Sequence, residues 1–371
     1  MGLTPRTLEH LKERFVEHGL EAANDVNAVL NAKPARHTRR RGPPKTYSMD
    51  AVRLLTRAWK LADKPCGKLL KPILKDLLAS LRRHEVLNGP AAAELLAMSP
   101  STLDRRLRHA KPRGAPSHRR EDSLAEHRRA IGLKIDTWPA DFKHTPGWLE
   151  IDTVAHCGGD LSGNFLWTLC CCDVATQWVE MRPAWNRGAH AVGVALEEAF
   201  GSFPLKIRGI NTDNGPEFLN AHLGRLFPWL CPNALRSRSR PYVKNDNPHV
   251  EQKNGHAVRR LLGYGRLGHE ETLGALRDLL VVSSLLNNLY HPTQKLLEKR
   301  RENARWVKRF EKDPKTPAQR VLESPGVCEA DKQRVRGLLA ANDFLTLRRR
   351  KEKLLFAFMR QDKLLDSQII F

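Results

Sequence analysis

The chain has 371 residues, 41% hydrophobic, 6% aromatic and 28% charged, which is enough apolar material for a buried core and enough length for two or three domains. Lys and Arg total 63 against 41 Asp and Glu, a formal net charge of +22. No long uninterrupted apolar run occurs, and the opening MGLTPRTLEHLKERFVEHGL carries acids and lacks the apolar segment of a secretory signal, so neither a membrane span nor a secretory signal is expected.

The positive excess is uneven. Residues 1–120 hold 25 basic and 11 acidic side chains, residues 121–270 hold 17 of each, and residues 271–371 hold 21 and 13. Two basic flanks around a neutral middle point to a polyanionic partner, nucleic acid being the usual one. The cysteines (Cys66, Cys157, Cys170, Cys171, Cys172, Cys231 and Cys328) are odd in number and three are adjacent. That pattern argues against a disulfide framework and for a reducing compartment, so the expected location is cytoplasmic.

In chain order, residues 5–31 show helical periodicity, and the Pro- and Arg-rich stretch 33–45 reads as a linker or DNA-tracking arm. Ser48 or Asp50 can cap a helix running through Trp59, and a further helix is expected over 67–84. The segment 90–111 has the form of a helix-turn-helix: an Ala/Leu helix over 91–97, a turn at Met98-Ser99-Pro100, and a second helix. Ser101 is the expected cap of that second helix, with Asp104 as its reciprocal partner. Leu103 and Leu107 then face inward, leaving Arg105, Arg106 and Arg108 outside for phosphates and base edges. Residues 1–112 are thus expected to be a helical DNA-binding region, and 113–146 a linker.

At Gly147 the character changes. WLEIDTVAH (148–156) alternates, NFLWTLCCCDV (164–174) is nearly all apolar, and ATQWVEMRP (175–183) alternates again; short connections suggest three consecutive antiparallel strands. A helix follows over 189–200, then a short strand 206–212, a helix 214–227, a short strand near 234–239, and a helix starting after Asn247. This is a mixed α/β layout. The adjacent cysteines read as small apolar residues of a buried strand. Arg236, Arg238 and Arg240 alternate and would line one strand face as a basic stripe.

Three acids fall at the ends or centres of these elements: Asp152 inside an otherwise apolar strand, Asp213 just past a strand, and Glu251 in the first turn of the late helix. Asn247 as N-cap and Pro248 as first residue set that helix, and Glu251 then shares a face with Gly255, Val258 and Leu262. Lys253, His256 and Arg260 fall on a different stripe, suited to a phosphate backbone. Three converging carboxylates repel one another without a counter-ion, and such hard oxygen donors suit Mg²⁺ or Mn²⁺. Asp160, Asp173 and Glu217 compete for the same roles, and periodicity does not eliminate Asp173. Asn214 and Gly215 are expected to shape the turn presenting Asp213, while Lys244, Lys253, Arg259 and Arg260 are candidate phosphate contacts.

At these residues the sequence resembles the retroviral-integrase-type DDE transposases of bacterial insertion sequences. WLEIDTVAHCGG resembles the first-acid motif of that family, NTDNGPEF the second, and RSRPYVKNDNPHVEQKNGHAVRR the third, with 60 residues between Asp152 and Asp213 and 37 between Asp213 and Glu251. The stretch 291–324 resembles the family's trailing segment, with a Lys-rich helix and a TP-x-x-R-x-L ending. The resemblance implies an RNase H-like mixed five-stranded sheet flanked by helices over 147–290, an all-α amino-terminal region, and a small basic carboxy-terminal region over 291–371. It implies Asp152, Asp213 and Glu251 as catalytic residues and ligands of two Mg²⁺ or Mn²⁺ ions. It also implies double-stranded DNA as partner (transposon ends and target), strand transfer of a 3′-hydroxyl, homo-oligomers on DNA, and a nucleoid-associated location when bound. No membrane partner is expected. With Cys66 the single cysteine of the first 120 residues, no structural zinc module is expected there. The alternatives are a related nuclease that cuts without joining, and a non-catalytic DNA-binding regulator or inactive relic. The stretch 344–359 is left open between hairpin and helix.

Overall fold

A computed structural model describes residues 47–110, 138–139, 141–213, 215, 217–218, 220–238, 248–302 and 305–368. The helix expected over 5–31, the arm at 33–45, most of the 113–146 linker, and Asn214, Arg240, Lys244 and Asn247 lie outside the described residues.

The amino-terminal part of this region is helical: α1 (Met49–Leu61), α2 (Gly67–His84), α3 (Gly89–Ala97) and α4 (Pro100–Arg106). Ser48, one of the two candidate caps, starts α1 by accepting from the Ala51 amide. α3 and α4 are joined by a two-residue turn, Met98 and Ser99, and Leu103 and Leu107 are fully buried beneath them. The cap of α4 differs from the expectation. Ser99, not Ser101, accepts from the Thr102 amide, because Pro100 fits the first helical position, where no N–H is needed and φ is already helical. Gly67 opens α2 directly against this turn: a Cβ there would stand 2.2 Å from the Pro100 carbonyl oxygen, so a side chain would push α4 away.

The neutral middle folds into one mixed sheet. β1 (Trp148–Ala155), β2 (Trp167–Asp173) and β3 (Val179–Ala184) pair antiparallel; β4 (Gly209–Thr212) runs parallel to β1, and β5 (Leu235–Arg238) parallel to β4. The order is β3-β2-β1-β4-β5, with α5 (Ala189–Ser202) and α6 (Ala221–Leu230) as the connecting helices. This helix-flanked, five-stranded α/β sheet is the architecture that the integrase resemblance implies. Burial follows the period of two. Leu149, Ile151, Leu169 and Cys171 join one core with Val192 and Leu196 of α5, whereas Val154, Cys170, Cys172 and Met181 join a second core on the other face. All three cysteines are buried free thiols, and burial pushes the Cys172 thiol up to about 12.

That second face is covered by α7 (Pro248–Lys253), a π-helical stretch Asn254–Arg259, α8 (Arg260–Leu262) and α9 (Leu273–Tyr290). The predicted helical faces hold in part: Val258 and Leu262 are buried, and His256 and Arg260 exposed. Two residues depart: Gly255, placed by a 3.6-residue period on the sheet-facing stripe, is exposed, and Lys253, placed on the outward stripe, is buried. Lys253 shares an α-helical face with the buried Val250 three residues earlier, and Gly255 falls in the π stretch, where more residues per revolution shift the register.

α9 also closes the sheet's outer edge. The Asn288 side chain donates to the Val179 carbonyl and accepts from its amide, both at 2.8 Å, and Ser284 Oγ accepts from the Met181 amide at 3.0 Å. Beyond α9 the expected Lys-rich helix is absent. Residues there form a hairpin, β6 (Leu296–Glu302) and β7 (Arg305–Phe310), before α10 (Pro317–Glu323), which a Thr316–Gln319 capping box starts. α11 (Glu329–Ala341) and α12 (Phe344–Gln368) follow, so the stretch 344–359 is helical. α12 is lashed to α2: Asp343 accepts from Ser80, Arg83 and His84, and Arg348 and Lys351 pair with Asp63 at the end of α1. No described helix is long and apolar enough to cross a membrane.

Candidate active site

β1 brings Glu150 and Asp152 to the face covered by α7, opposite Cys172 and Cys170 of β2 respectively. β4 lies alongside with Thr212 beside Ile151, so Asp213, the next residue, emerges at the strand's carboxyl end next to Asp152. Carboxyl ends of parallel strands are where open α/β sheets present functional groups. Glu251 arrives from α7, and the way α7 is held is not legible from the pattern of acids. Glu150, 2% exposed, accepts from the amides of His249 and Val250 at 2.8 and 3.0 Å, so a strand carboxylate caps the helix. Burial pushes the Glu150 carboxyl up to about 8.

Asp152 is fixed at both oxygens. Oδ1 accepts from the Thr153 amide at 2.8 Å, and Oδ2 from Asn254 Nδ2 at 2.7 Å. Burial, followed by the neighbouring charges of Asp213, Glu217 and Glu251, pushes its carboxyl up to about 7. Asp213 accepts from the Gly215 amide at 2.9 Å, and burial together with Glu217 pushes it up to about 6. Glu217 lies 7% exposed; Oε1 accepts from the Thr153 hydroxyl at 3.0 Å, while Oε2 is buried without a hydrogen-bond partner among the described residues. Gly215 packs close here: a Cβ would come within 2.6 Å of the Glu217 carboxyl carbon and displace that carboxylate. Glu251 is half-buried, one helical turn before Asn254. The four carboxylates are electrostatic neighbours, yet among the described residues no three His, Cys, Asp or Glu side chains stand within ligating reach of one ion.

The competing acids separate cleanly. Asp173 is fully buried in a local turn, accepting from Thr176 and from the Gly147 amide, and Asp160 is engaged with Ser162 in an exposed loop. Glu150 and Asn254 are the two site residues that the sequence pattern did not single out. Both carry a signal: Glu150 is two positions from Asp152, hence on the same strand face, and Asn254 is three beyond Glu251.

The basic residues divide. Arg105, Arg108 and Arg260 are exposed, and Arg106 is half-buried with its guanidinium 5.8 Å from the Tyr47 ring. Three others are turned to structural tasks. Lys253 is 8% exposed, and burial holds its amine below the usual range. Arg259 donates to the Ala155 carbonyl at 2.8 Å and lies over Tyr264. Arg236 donates to the Gly224 carbonyl and stacks 4.7 Å over Phe227, so the β5 stripe of Arg236 and the half-buried Arg238 is partly spent on packing.

Fold and site together define an α/β protein with a mixed five-stranded sheet and an acid cluster at its strand ends. The chain belongs to the same family as the uncharacterized protein y4rM of Sinorhizobium fredii (strain NBRC 101917 / NGR234), with which it shares 38% identity over 269 residues, 71% of this chain and 75% of the relative. No family model matches it. Among solved structures, the catalytic core domain of BIV integrase is 15% identical with a TM-score of 0.29, covering 38% of this chain and 83% of that one. A chain of the simian T-cell lymphotropic virus intasome in complex with PP2A regulatory subunit B56 gamma is 18% identical with a TM-score of 0.29, over 50% of this chain and 58% of that one.

Proposed function

We propose that this protein is a DDE-type DNA transposase, a polynucleotidyl transferase that hydrolyses phosphodiesters at transposon ends and passes the freed 3′-hydroxyl into target DNA. The observation that carries the reading is the placement of three acids from distant segments: Asp152 on β1, Asp213 at the end of the adjacent β4, and Glu251 on α7, the helix that Glu150 of β1 holds by its first amides. Crowded carboxylates and the unsatisfied Glu217 Oε2 are chemically fitted to a hard divalent cation. Asp152, Asp213 and Glu251 do not stand within ligating reach of one ion as placed and would have to close together to hold two Mg²⁺ or Mn²⁺ ions, which when bound would supply activation of an oxygen nucleophile and neutralisation of the leaving oxygen. The chain's own residues set the geometry. Thr153 and Asn254 fix the Asp152 rotamer, the Gly215 amide orients Asp213, and Glu150 holds the helix that delivers Glu251. End recognition falls to α4 and the turn after it, through Arg105, Arg106 and Arg108, with the protein working as a homo-oligomer on paired DNA ends.

The test joins a labelled 3′-hydroxyl end to a plasmid in the presence of Mg²⁺. Asp152→Asn, Asp213→Asn and Glu251→Gln should each abolish cleavage and joining while end binding persists. Joining retained by any one of them removes that residue from the site. Cleavage without joined product by the wild type would make the protein a nuclease, and binding with neither would make it a regulator or relic.

A further inference from the structure

The β6–β7 hairpin is strongly charged and takes no part in the acid site. Its register places Arg301 opposite Trp306 and Leu296 opposite Phe310, with Lys308 between them, on one face. Glu298 with Arg309, Arg300 with Val307, and Glu302 with Arg305 share the other. Both acids of the paired strands therefore sit on one face, and they are engaged there. Arg300 pairs with Glu302 at 2.7 Å and Glu298 at 3.8 Å, and Arg309 with Glu298 at 3.3 Å. The first face has no acid. It carries the exposed Arg301 and Lys308 together with Trp306, 59% exposed, and Phe310, 45% exposed.

The root of the hairpin is firmly held. Lys295 Nζ donates to the Ala175 carbonyl at 2.7 Å in the β2–β3 turn, and Arg320 pairs with Glu311 at 2.6 Å.

We infer that the acid-free face of this hairpin is a duplex-DNA-binding ribbon, with Arg301 and Lys308 on phosphates and Trp306 as an apolar contact. A two-stranded ribbon fits the roughly 12 Å width of the B-DNA major groove, and the segregation of acids to the opposite face gives this one the charge that DNA complements. The inference rests on the DNA-processing function proposed above.

The experiment measures binding of the full-length protein to a fluorescent duplex by anisotropy across a salt series. Two variants remove equal charge from opposite faces, Arg301→Ala with Lys308→Ala, and Arg305→Ala with Arg309→Ala; all four residues are exposed, and circular dichroism checks folding. The first pair should weaken binding roughly tenfold or more near physiological salt and reduce the slope of log K against log salt by about 2, close to 0.9 for each phosphate no longer neutralised. The second pair should leave the slope unchanged. Equal weakening by both pairs, or none by the first, overturns the inference. So does a first pair that alters only the oligomeric state, which would mark the face as a protein interface. Cleavage assayed in parallel separates the two claims. If the wild type cuts ends while the first pair binds and cuts equally well, only the hairpin assignment falls. A wild type that binds no duplex removes both.

Discussion

Glu150 shows how one carboxyl can serve the site without touching substrate. Its proton equilibrium has a definite sign: the folded state holds the proton to about 8 against an ordinary 4.5, so this group's contribution to stability is full below 4.5 and lost as pH rises toward 8. Glu150→Gln keeps an oxygen for the His249 and Val250 amides and cannot ionise. Melting temperatures at pH 5, 7 and 9 should show the Gln variant gaining on the wild type as pH rises; parallel curves would mean that Glu150 stays charged. Asn254 acts in the same indirect way. Asn254→Ala frees Asp152 Oδ2 and should lower kcat roughly 10–100-fold, the usual effect of removing a group that orients a ligand, with DNA affinity unchanged. A fall in affinity matching the fall in rate would instead place Asn254 among the DNA contacts.

Among the elements, α9 has a role that a hydrophobic pattern hides. β3 is an outer strand of the sheet, and its backbone is satisfied by Asn288 and Ser284 rather than by another strand. Covering an edge this way blocks pairing with other chains. Asn288→Leu leaves a buried amide and carbonyl of Val179 unpaired and should cost roughly 2–4 kcal/mol of stability by urea unfolding, with a greater tendency to aggregate. A change below about 0.5 kcal/mol would show the edge finding other partners. α7 is a second device at this scale. It turns Lys253 inward one α-helical turn after the buried Val250, and Asn254, three residues after Glu251, reaches Asp152 where the π stretch begins.

Across the whole molecule, residues from Tyr47 onward form one compact unit, and α12 is the brace that ties its distant segments together. Asp343 is the knot. Burial would raise its carboxyl, but hydrogen bonds from Arg83, Ser80 and His84 hold it well below the usual range. A depressed carboxyl stabilises above its unfolded value and loses that contribution only as pH falls through the folded one. Asp343→Ala should therefore free α12 at neutral pH, seen as earlier proteolytic cleavage near residue 343, while the wild type stays resistant down to about pH 4. Equal resistance would show that Asp63 with Arg348 and Lys351 suffices.

The strands, their order of hydrophobic character, and the candidate acids Asp152 and Asp213 are legible in the sequence because a period of two and an acid inside an apolar run are local signals. So are α1 and α2, whose boundaries lie in caps and breakers within a few residues. Lys253, Glu150 and Glu217 are not readable in that way. Their state depends on which face α7 turns to the sheet, on a helix end brought up to a strand a hundred residues earlier in the chain, and on Gly215 lying close against the Glu217 carboxylate. The hairpin at 296–310 is expected as a helix from the resemblance alone: a heavily charged segment carries little periodicity of its own, and pairing between β6 and β7 decides the outcome. Local periodicity sets which residues can be buried; which charges meet is decided only when separated segments share a low-dielectric space.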